Sequence, residues 1–351
     1  MSAEKNQGIP QITNHMTILF FTRLFHPHRG GVEKHVLEVS LRLRKKGHKV
    51  IIITEQHDTK LKETELYMGL MIYRIPCTAS WRKKFTIWKW LFKKYFLFRQ
   101  ADIIHCHDVF YWFMPFKILF PQKPVFITFH GYESYPVSQK AKLIRSVSEH
   151  LAMGNICVGK FIAKWYGTKP TYIIYGGVST VKREIKYKEP YSSVFVGRIE
   201  EQTGIMTYAK TILALRSSIA HFHFWVYGEG SKSDTIKTIA DTISSTDDSQ
   251  EVLQKGHFAF VSGYLTMLEA MIAKRLVFAV FDNPLKKDYL YMTPFAAYII
   301  IVESAEELAE KVLYFLKHPK QEEIYVNKAF QFAQTQTWDT VVSNYEKLWN
   351  Q

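Results

Sequence analysis

The chain has 351 residues, 47% of them hydrophobic, which is enough to bury a sizeable core and long enough for two domains or one large barrel. A formal net charge of +14 points to an anionic partner or surface, and three scattered cysteines, Cys77, Cys106 and Cys157, exclude a disulfide framework or a zinc site. No apolar run reaches the roughly 18 to 20 residues of a membrane-spanning helix and no signal-peptide pattern opens the chain, so a cytoplasmic protein with reduced, buried thiols is expected.

Residues 1–15 are polar and aperiodic and are expected to form a disordered leader. Apolar runs at 17–22, 49–54, 70–74, 102–106 and 125–129 then read as buried strands separated by helix-length segments, the pattern of a parallel sheet covered on both faces. After a further run at 172–175, the charged stretch 179–191 lacks an apolar stripe and reads as a linker. A second alternating set follows, with strands at 193–196, 221–226, 258–261, 276–280 and 298–302 and helices at 204–215, 264–273 and 305–316. A last helix near 338–349 carries Val341, Val342, Tyr345, Leu348 and Trp349 on one face and is expected to dock on a domain surface. The expected organisation is an α/β protein with an N-terminal domain over 16–178, a linker over 179–191, a C-terminal domain over 192–335 and a docking helix over 336–351.

The first strand is followed by Gly30-Gly31, where a helix begins. Glycines at such a turn let backbone approach a ligand, and the free N–H groups of the helix start favour an anion. The spacing is that of neither the dinucleotide fingerprint nor the P-loop, which counts against an NAD enzyme or an ATPase. His105, His107 and Asp108 cluster after a strand without the spacing of a metal site, and read as strand-end polar residues.

Later motifs make the pattern specific. Val196-Gly197-Arg198, Gly204-Ile205, Tyr227-Gly228-Glu229-Gly230 and Leu268-Glu269-Ala270-Met271 follow one another, preceded by Gly30-Gly31-Val32, Phe129-His130-Gly131 and Gly176-Gly177-Val178. In order and rough spacing, over nearly the whole chain, they resemble the retaining glycosyltransferases of family 4. The resemblance implies the GT-B fold, two Rossmann-like domains facing each other across a cleft, and metal-independent, cofactor-free transfer of a sugar from a nucleotide-sugar to a hydroxyl acceptor. It places Arg198 on the diphosphate leaving group, Glu269 on the donor ribose and His130 beside the reacting sugar. Backbone at Gly263, Tyr264 and Leu265 would meet the donor phosphate, with Gly30, Gly31, Gly197, Thr203 and Gly228 completing the donor contacts.

Residue chemistry suits these roles. A guanidinium at a strand's C-terminal end can neutralise a diphosphate, and a carboxylate accepts from two hydroxyls at once. The structural alternatives are a surface Arg198 paired with Glu200 or Glu201, a Glu269 on a solvated helix face, and a His130 that only packs. Two departures stand out. Val261 occupies the position of a second family Glu, and Thr203 that of a Lys that helps the Arg hold the diphosphate, leaving Lys210 as the nearest candidate cation. These departures sustain a second hypothesis, a catalytically silent family member acting as a partner subunit or membrane-bound scaffold. A sugar-nucleotide epimerase on the same fold is a third.

Residues 81–99 hold seven Lys or Arg, eight aromatics and no acid. On a helical wheel Trp81, Phe85, Trp88, Phe92 and Tyr95 share a stripe with Arg82, Lys89 and Lys93 beside it and Lys84 close by, suiting an anionic bilayer interface. The alternative is an aromatic stripe packed on its own sheet. The family's frequent use of lipid-linked acceptors favours peripheral membrane association and a membrane- or lipid-linked acceptor; no nucleic-acid motif is present.

Overall fold

The computed structural model describes residues 15–76, 82–132, 134–180, 189–246 and 248–351. The first half is built from strands β1 (Thr17–Thr22), β2 (Lys49–Glu55), β3 (Thr64–Tyr67), β4 (Leu70–Ile75), β5 (Ile103–His107), β6 (Val125–Phe129), β7 (Gly154–Val158) and β8 (Tyr172–Ile174). Between them run helices α1 (Gly31–Lys45), α2 (Lys83–Lys93), α3 (Phe96–Gln100), α4 (Met114–Leu119), α5 (Gln139–Leu151) and α6 (Phe161–Tyr166). The strands form one sheet in the order β3-β4-β2-β1-β5-β6-β7-β8. All neighbours are parallel except β3 and β4, a hairpin turned at Met68-Gly69, both with positive φ. Right-handed crossovers set α1 on one face of this sheet and α2 to α6 on the other.

The second half holds α7 (Ile205–Ser218), α8 (Ser233–Lys237), α9 (Ser249–Leu253), α10 (Tyr264–Ile272), α11 (Pro284–Tyr291), α12 (Ala305–Lys317) and α13 (Pro319–Thr335). Its strands are β9 (Glu189–Val196), β10 (His223–Tyr227), β11 (Thr242–Ser244), β12 (Gly256–Phe260), β13 (Leu276–Val280) and β14 (Ile300–Val302), paired in parallel in the order β11-β10-β9-β12-β13-β14. The chain then crosses back beside Val178, whose N–H donates to the Gln336 carbonyl at 2.8 Å. The last helix, α14 (Trp338–Trp349), packs on α1 and β8 of the first domain.

This is the α/β architecture of two parallel-sheet domains expected from the alternating pattern. One core fills the first domain and continues through Tyr264, Leu285 and Leu290 into the second; another lies between the second sheet, α7 and α12. Several boundaries shift. Strand β9 starts at Glu189, inside the stretch read as linker, whose residues 181–188 lie outside the described ones, as do residues 1–14 of the expected leader. The basic segment is two helices rather than one, because Lys94 and Tyr95 interrupt it. Strand β7 escaped detection because it opens on Gly154-Asn155, and α13 because its buried positions are Glu322, Ala329 and Ala333 instead of large apolar side chains. Cys106 and Cys157 are buried thiols; Cys77 is outside the described residues. Among the described residues no helix is long and apolar enough to cross a membrane.

Candidate functional site

Strand β6 delivers His130 to the C-terminal edge of the first sheet. Its imidazole Nε2 lies 2.8 Å from His107 Nδ1, and its backbone N–H donates to Asp108. Beneath it is a nest of buried histidines, two of which, His105 and His107, look in the sequence like plain strand-end polar residues. The Trp349 indole N–H donates to His105 Nδ1 at 3.1 Å, which leaves His105 Nε2–H to donate to Thr128 Oγ1 at 2.8 Å. Thr128 then reaches the Tyr345 hydroxyl at 2.9 Å, and Tyr345 reaches His35 Nε2 at 2.9 Å. The His35 ring stands edge-on to His130, 4.8 Å between centroids. Helix α14 thus reaches His130 through a bonded chain and a ring contact.

Burial governs the protonation of this nest. Desolvation holds His35, His105 and His107 well below the usual histidine range and pushes His130 down to about 3, with His105 and Arg145 lowering it further. His130 is therefore a neutral imidazole at ordinary pH, fitted to hydrogen-bond a hydroxyl and unfitted to act as an imidazolium acid. His107 Nε2 is buried without a partner. A bare acceptor is tolerated better than an orphaned N–H, so His107 Nδ1–H donates to His130 Nε2 and the His130 proton sits on Nδ1. Arg145 braces the turn, donating to the Gly131 carbonyl while its guanidinium lies 3.8 Å from the Tyr166 ring.

Across from this turn, the loops after β9 and β10 are zipped together. Gly197 N–H donates to Tyr227 O and Ile199 N–H to Glu229 O. A Cβ at Gly228 would collide with the Gly197 carbonyl, so glycine there is a requirement of two backbones in contact. Arg198 is exposed on this loop. Among the described residues it makes no ion pair with Glu200 or Glu201, which are engaged instead by Ser231 and Lys232. Thr203 spends its hydroxyl on the carbonyls of Arg198 and Glu200, clipping the loop shut. Val261 is fully buried, so no side chain from that position lines the cleft.

Two cations that no sequence motif marks converge on the site. Lys286, on α11, is 6% exposed and its ammonium donates to the Ser262 carbonyl at 3.0 Å. Desolvation pushes it down to about 8, with Asp282 opposing and Arg198 reinforcing the shift. Tyr132, next to His130-Gly131, is pushed up to about 12 by burial and Asp282, against the pull of Arg198. The charges of Arg198 and Asp282 act on both Tyr132 and Lys286, and the Tyr132 ring lies 6.3 Å from that of Tyr289, which sets the His130 turn against α11. The other cation is Lys34 on α1. It bonds Glu269 Oε1, while Ser249 Oγ donates to Oε2 at 2.7 Å. Glu269 is buried, so the solvated-face alternative fails; Oε1 is committed across the cleft to Lys34 and Oε2 to Ser249 of its own domain.

The domains are closed on each other. Leu265, at the start of α10, lies against Gly31 and Gly176; at Gly176, where φ is +95°, any Cβ would strike it. Tyr264 stacks on Tyr289 with centroids 4.0 Å apart, and Trp165 and Lys164 of α6 both reach Asp288 of α11. Tyr264 is buried at this junction and Leu265 half-buried, while Gly263 stays exposed; a concavity of about 470 Å³ beside Tyr175 and Tyr291 contains none of the expected site residues. Gly30 caps α1 with extended backbone and no side-chain bond. Among the described residues no trio of His, Cys, Asp or Glu is arranged to hold a metal ion.

Helix α2 departs from its expected face at Trp88. Ile87 and Leu91 bury completely, and Trp88 is half-buried with its indole N–H on Tyr111 O at 2.9 Å, so it belongs to the packed side. Lys84 lies 5.5 Å from the Tyr111 ring. The exposed stripe is Phe85, Lys89 and Phe92 with Lys93 beside it. It continues onto α4, where Ile118 is 84% and Leu119 56% exposed and Phe116 contacts Phe92. Trp81 lies outside the described residues.

Comparison with known proteins agrees with this architecture. Sucrose-phosphate synthase from Thermosynechococcus elongatus superposes with a TM-score of 0.75 at 16% identity, over 96% of this chain and 98% of the other. A variant of S. aureus TarM, solved with fondaparinux, alpha-GlcNAc-glycerol and UDP, superposes at 0.71 with 12% identity over 96% and 100%. In sequence, one component of the human phosphatidylinositol N-acetylglucosaminyltransferase is 30% identical over 97 residues, 26% of this chain and 20% of the relative. The matched segment thus spans about a fifth of that curated relative's length. The family model of Glycosyltransferase Family 4 matches residues 29–182. The chain carries the two-domain GT-B fold, and over residues 29–182 it is similar to Glycosyltransferase Family 4.

Proposed function

We propose that the chain transfers a glycosyl unit from a nucleotide-sugar to a hydroxyl of a membrane- or lipid-linked acceptor, with retention at the anomeric carbon and without a metal. The observation that carries this reading is an exposed Arg198 on the loop after β9, which among the described residues forms no ion pair with Glu200 or Glu201 and whose charge reaches Tyr132 beside the His130-Gly131 turn. In the step proposed, the bond between the anomeric carbon and the diphosphate oxygen breaks and its electron pair leaves with the diphosphate. The acceptor oxygen bonds to that carbon and its proton passes to the departing diphosphate. Arg198 offsets the growing negative charge, and neutral His130 hydrogen-bonds a hydroxyl of the sugar.

The human relative is named for phosphatidylinositol and N-acetylglucosamine, which supports a lipid acceptor, and the UDP held by TarM supports a uridine donor. The basic and apolar surface of α2 and α4 fits an anionic bilayer, the aromatics at headgroup depth and the lysines on phosphates. A thermal-shift panel of UDP, GDP, ADP and their sugar conjugates tests the donor side. Stabilisation by one nucleotide that disappears in Arg198→Ala is expected; no shift with any nucleotide refutes the reading. Vesicles with and without anionic lipid test the surface: Phe85→Ser with Phe92→Ser should weaken binding to anionic vesicles, and unchanged binding would remove the membrane from the proposal.

A further inference from the structure

The site lacks one cation at Thr203, whose hydroxyl is occupied within its own loop. Lys210 does not replace it. It is exposed on α7, and its charge acts on Glu306 at the start of α12. Lys286 is placed differently. Asn283 caps α11 by accepting the Lys286 backbone N–H, which fixes the lysine in the first turn. Its side chain runs inward, over the face of Tyr289 at 4.4 Å from the ring centre, and ends on the Ser262 carbonyl immediately before the cap of α10.

That position is electrostatically expensive. An ammonium has three N–H donors, and the Ser262 bond uses one of them. Helix α10 begins with no side-chain cap and no acid in its first turn, so its positive end is uncompensated. Arg198 adds a second full positive charge to the same locale, and Asp282 is the acid acting on both Lys286 and Tyr132 there. Two cations and a helix N-terminus brought together around one exposed carboxylate leave an excess of positive charge. An arriving anion removes that excess.

We propose that Lys286 binds the diphosphate of the nucleotide donor, supplying from α11 the second cation that Thr203 does not provide. The proposal rests on the donor-site reading above. It assigns the diphosphate a grip shared by Arg198 on the β9 loop, Lys286 on α11 and the first-turn N–H groups of α10. It also explains how a chain without the family lysine keeps a working leaving-group site.

The test measures affinities of UDP and of uridine, substituting whichever base the nucleotide panel selects, for the wild-type chain, Lys286→Met and Lys286→Gln. Methionine keeps the packing on Tyr289, and glutamine keeps a donor for Ser262 O while removing the charge, so one variant covers a folding failure of the other. Unliganded melting curves establish that the variants fold. The expected result is a loss of diphosphate affinity on the order of 10- to 100-fold in both variants, with nucleoside affinity unchanged, and recovery to within a few-fold in Lys286→Arg. Diphosphate affinity kept within threefold in a folded neutral variant overturns the proposal while leaving the donor-site reading intact. Equal losses for nucleoside and diphosphate also overturn it, since they report a displaced α10 and not a lost charge contact. A wild-type chain that binds no nucleotide overturns both.

Discussion

Acidification should unfold the first domain through its buried histidines. His35, His105 and His107 are each at most 2% exposed and are held neutral by burial. In the unfolded chain each takes a proton near pH 6.5. Their folded pKa values lie below that, so the unfolded state binds more protons under pH 6.5. The stability is therefore complete above about 6.5 and is lost as pH falls. At pH 5.5 each group costs RT ln(1 + 10), about 1.4 kcal/mol, so the three together cost about 4 kcal/mol, a large share of the roughly 5 to 15 kcal/mol that holds a typical protein together. Calorimetric unfolding at pH 5.5 in two buffers of different ionisation enthalpy measures the proton uptake directly, without assuming a two-state transition. An uptake of about four protons or more is expected, because His130 is held neutral with the other three and His48 and His57 are lowered as well, falling by about one in His107→Asn. Uptake below one proton would show that these imidazoles are not kept neutral, and the relay from α14 to His130 would fall with it.

Other substitutions probe the same framework. Tyr345→Phe removes the hydroxyl that joins Thr128 to His35; a loss of about 1 to 3 kcal/mol in urea unfolding is expected, with slower transfer at unchanged nucleotide affinity. Transfer at the wild-type rate would mean that α14 supports the fold but not His130. Gly228→Ala puts a methyl against the Gly197 carbonyl and should lower stability by about 1 to 3 kcal/mol while abolishing nucleotide-induced stabilisation; an unchanged melting curve would contradict the zipped-loop geometry. Lys34→Met releases Glu269, and because the lysine is partly exposed the effect should be modest, about a two- to fivefold gain in nucleotide affinity by titration calorimetry. A loss of affinity would instead assign Lys34 to the donor.

The alternation of apolar runs and helical stretches made both α/β halves legible, because parallel strands buried on two faces leave continuous Val, Ile and Phe runs such as 50–53 and 276–280. Elements whose burial relies on small or polar residues, β7 and α13, left no such trace. At the candidate site, the motif glycines, His130 and Arg198 stood out in the sequence because they sit beside strand or helix ends, and Glu269, inside α10, because an acid interrupts an apolar helix. Lys286 was not, since nothing in Asn283-Pro284-Leu285-Lys286 separates a buried ammonium from a solvated one until α11 is docked. The histidine nest was half visible: His105 and His107 alternate with Ile104 and Cys106 on one strand, but His35, Thr128 and Tyr345 join them only through the sheet and the returning α14. For α2 the wheel found the exposed Phe85 and Phe92, with Tyr95 just beyond the helix, but set Trp88 among them, because Trp88 looks like an interface anchor until the Tyr111 carbonyl claims its N–H.

Glu269 ties these observations into one constraint on how the protein works. Glu269 is 2% exposed, bonded to Lys34 across the cleft and to Ser249 of its own domain, so a donor ribose could reach its carboxylate only after the closed form loosens. Donor entry would then break the Lys34 contact that fastens α1 to α10, and parting these helices would also draw Leu265 off Gly31. The closed forms before and after donor binding are thus held by different bonds between the same two surfaces. The cross-cleft ion pair partners the buried Glu269 charge in the closed form, and on the proposed donor reading ribose hydroxyls would take its place. On this account the ion pair sets the threshold a ligand must exceed, and a sugar phosphate without a ribose to offer Glu269 would leave it in place.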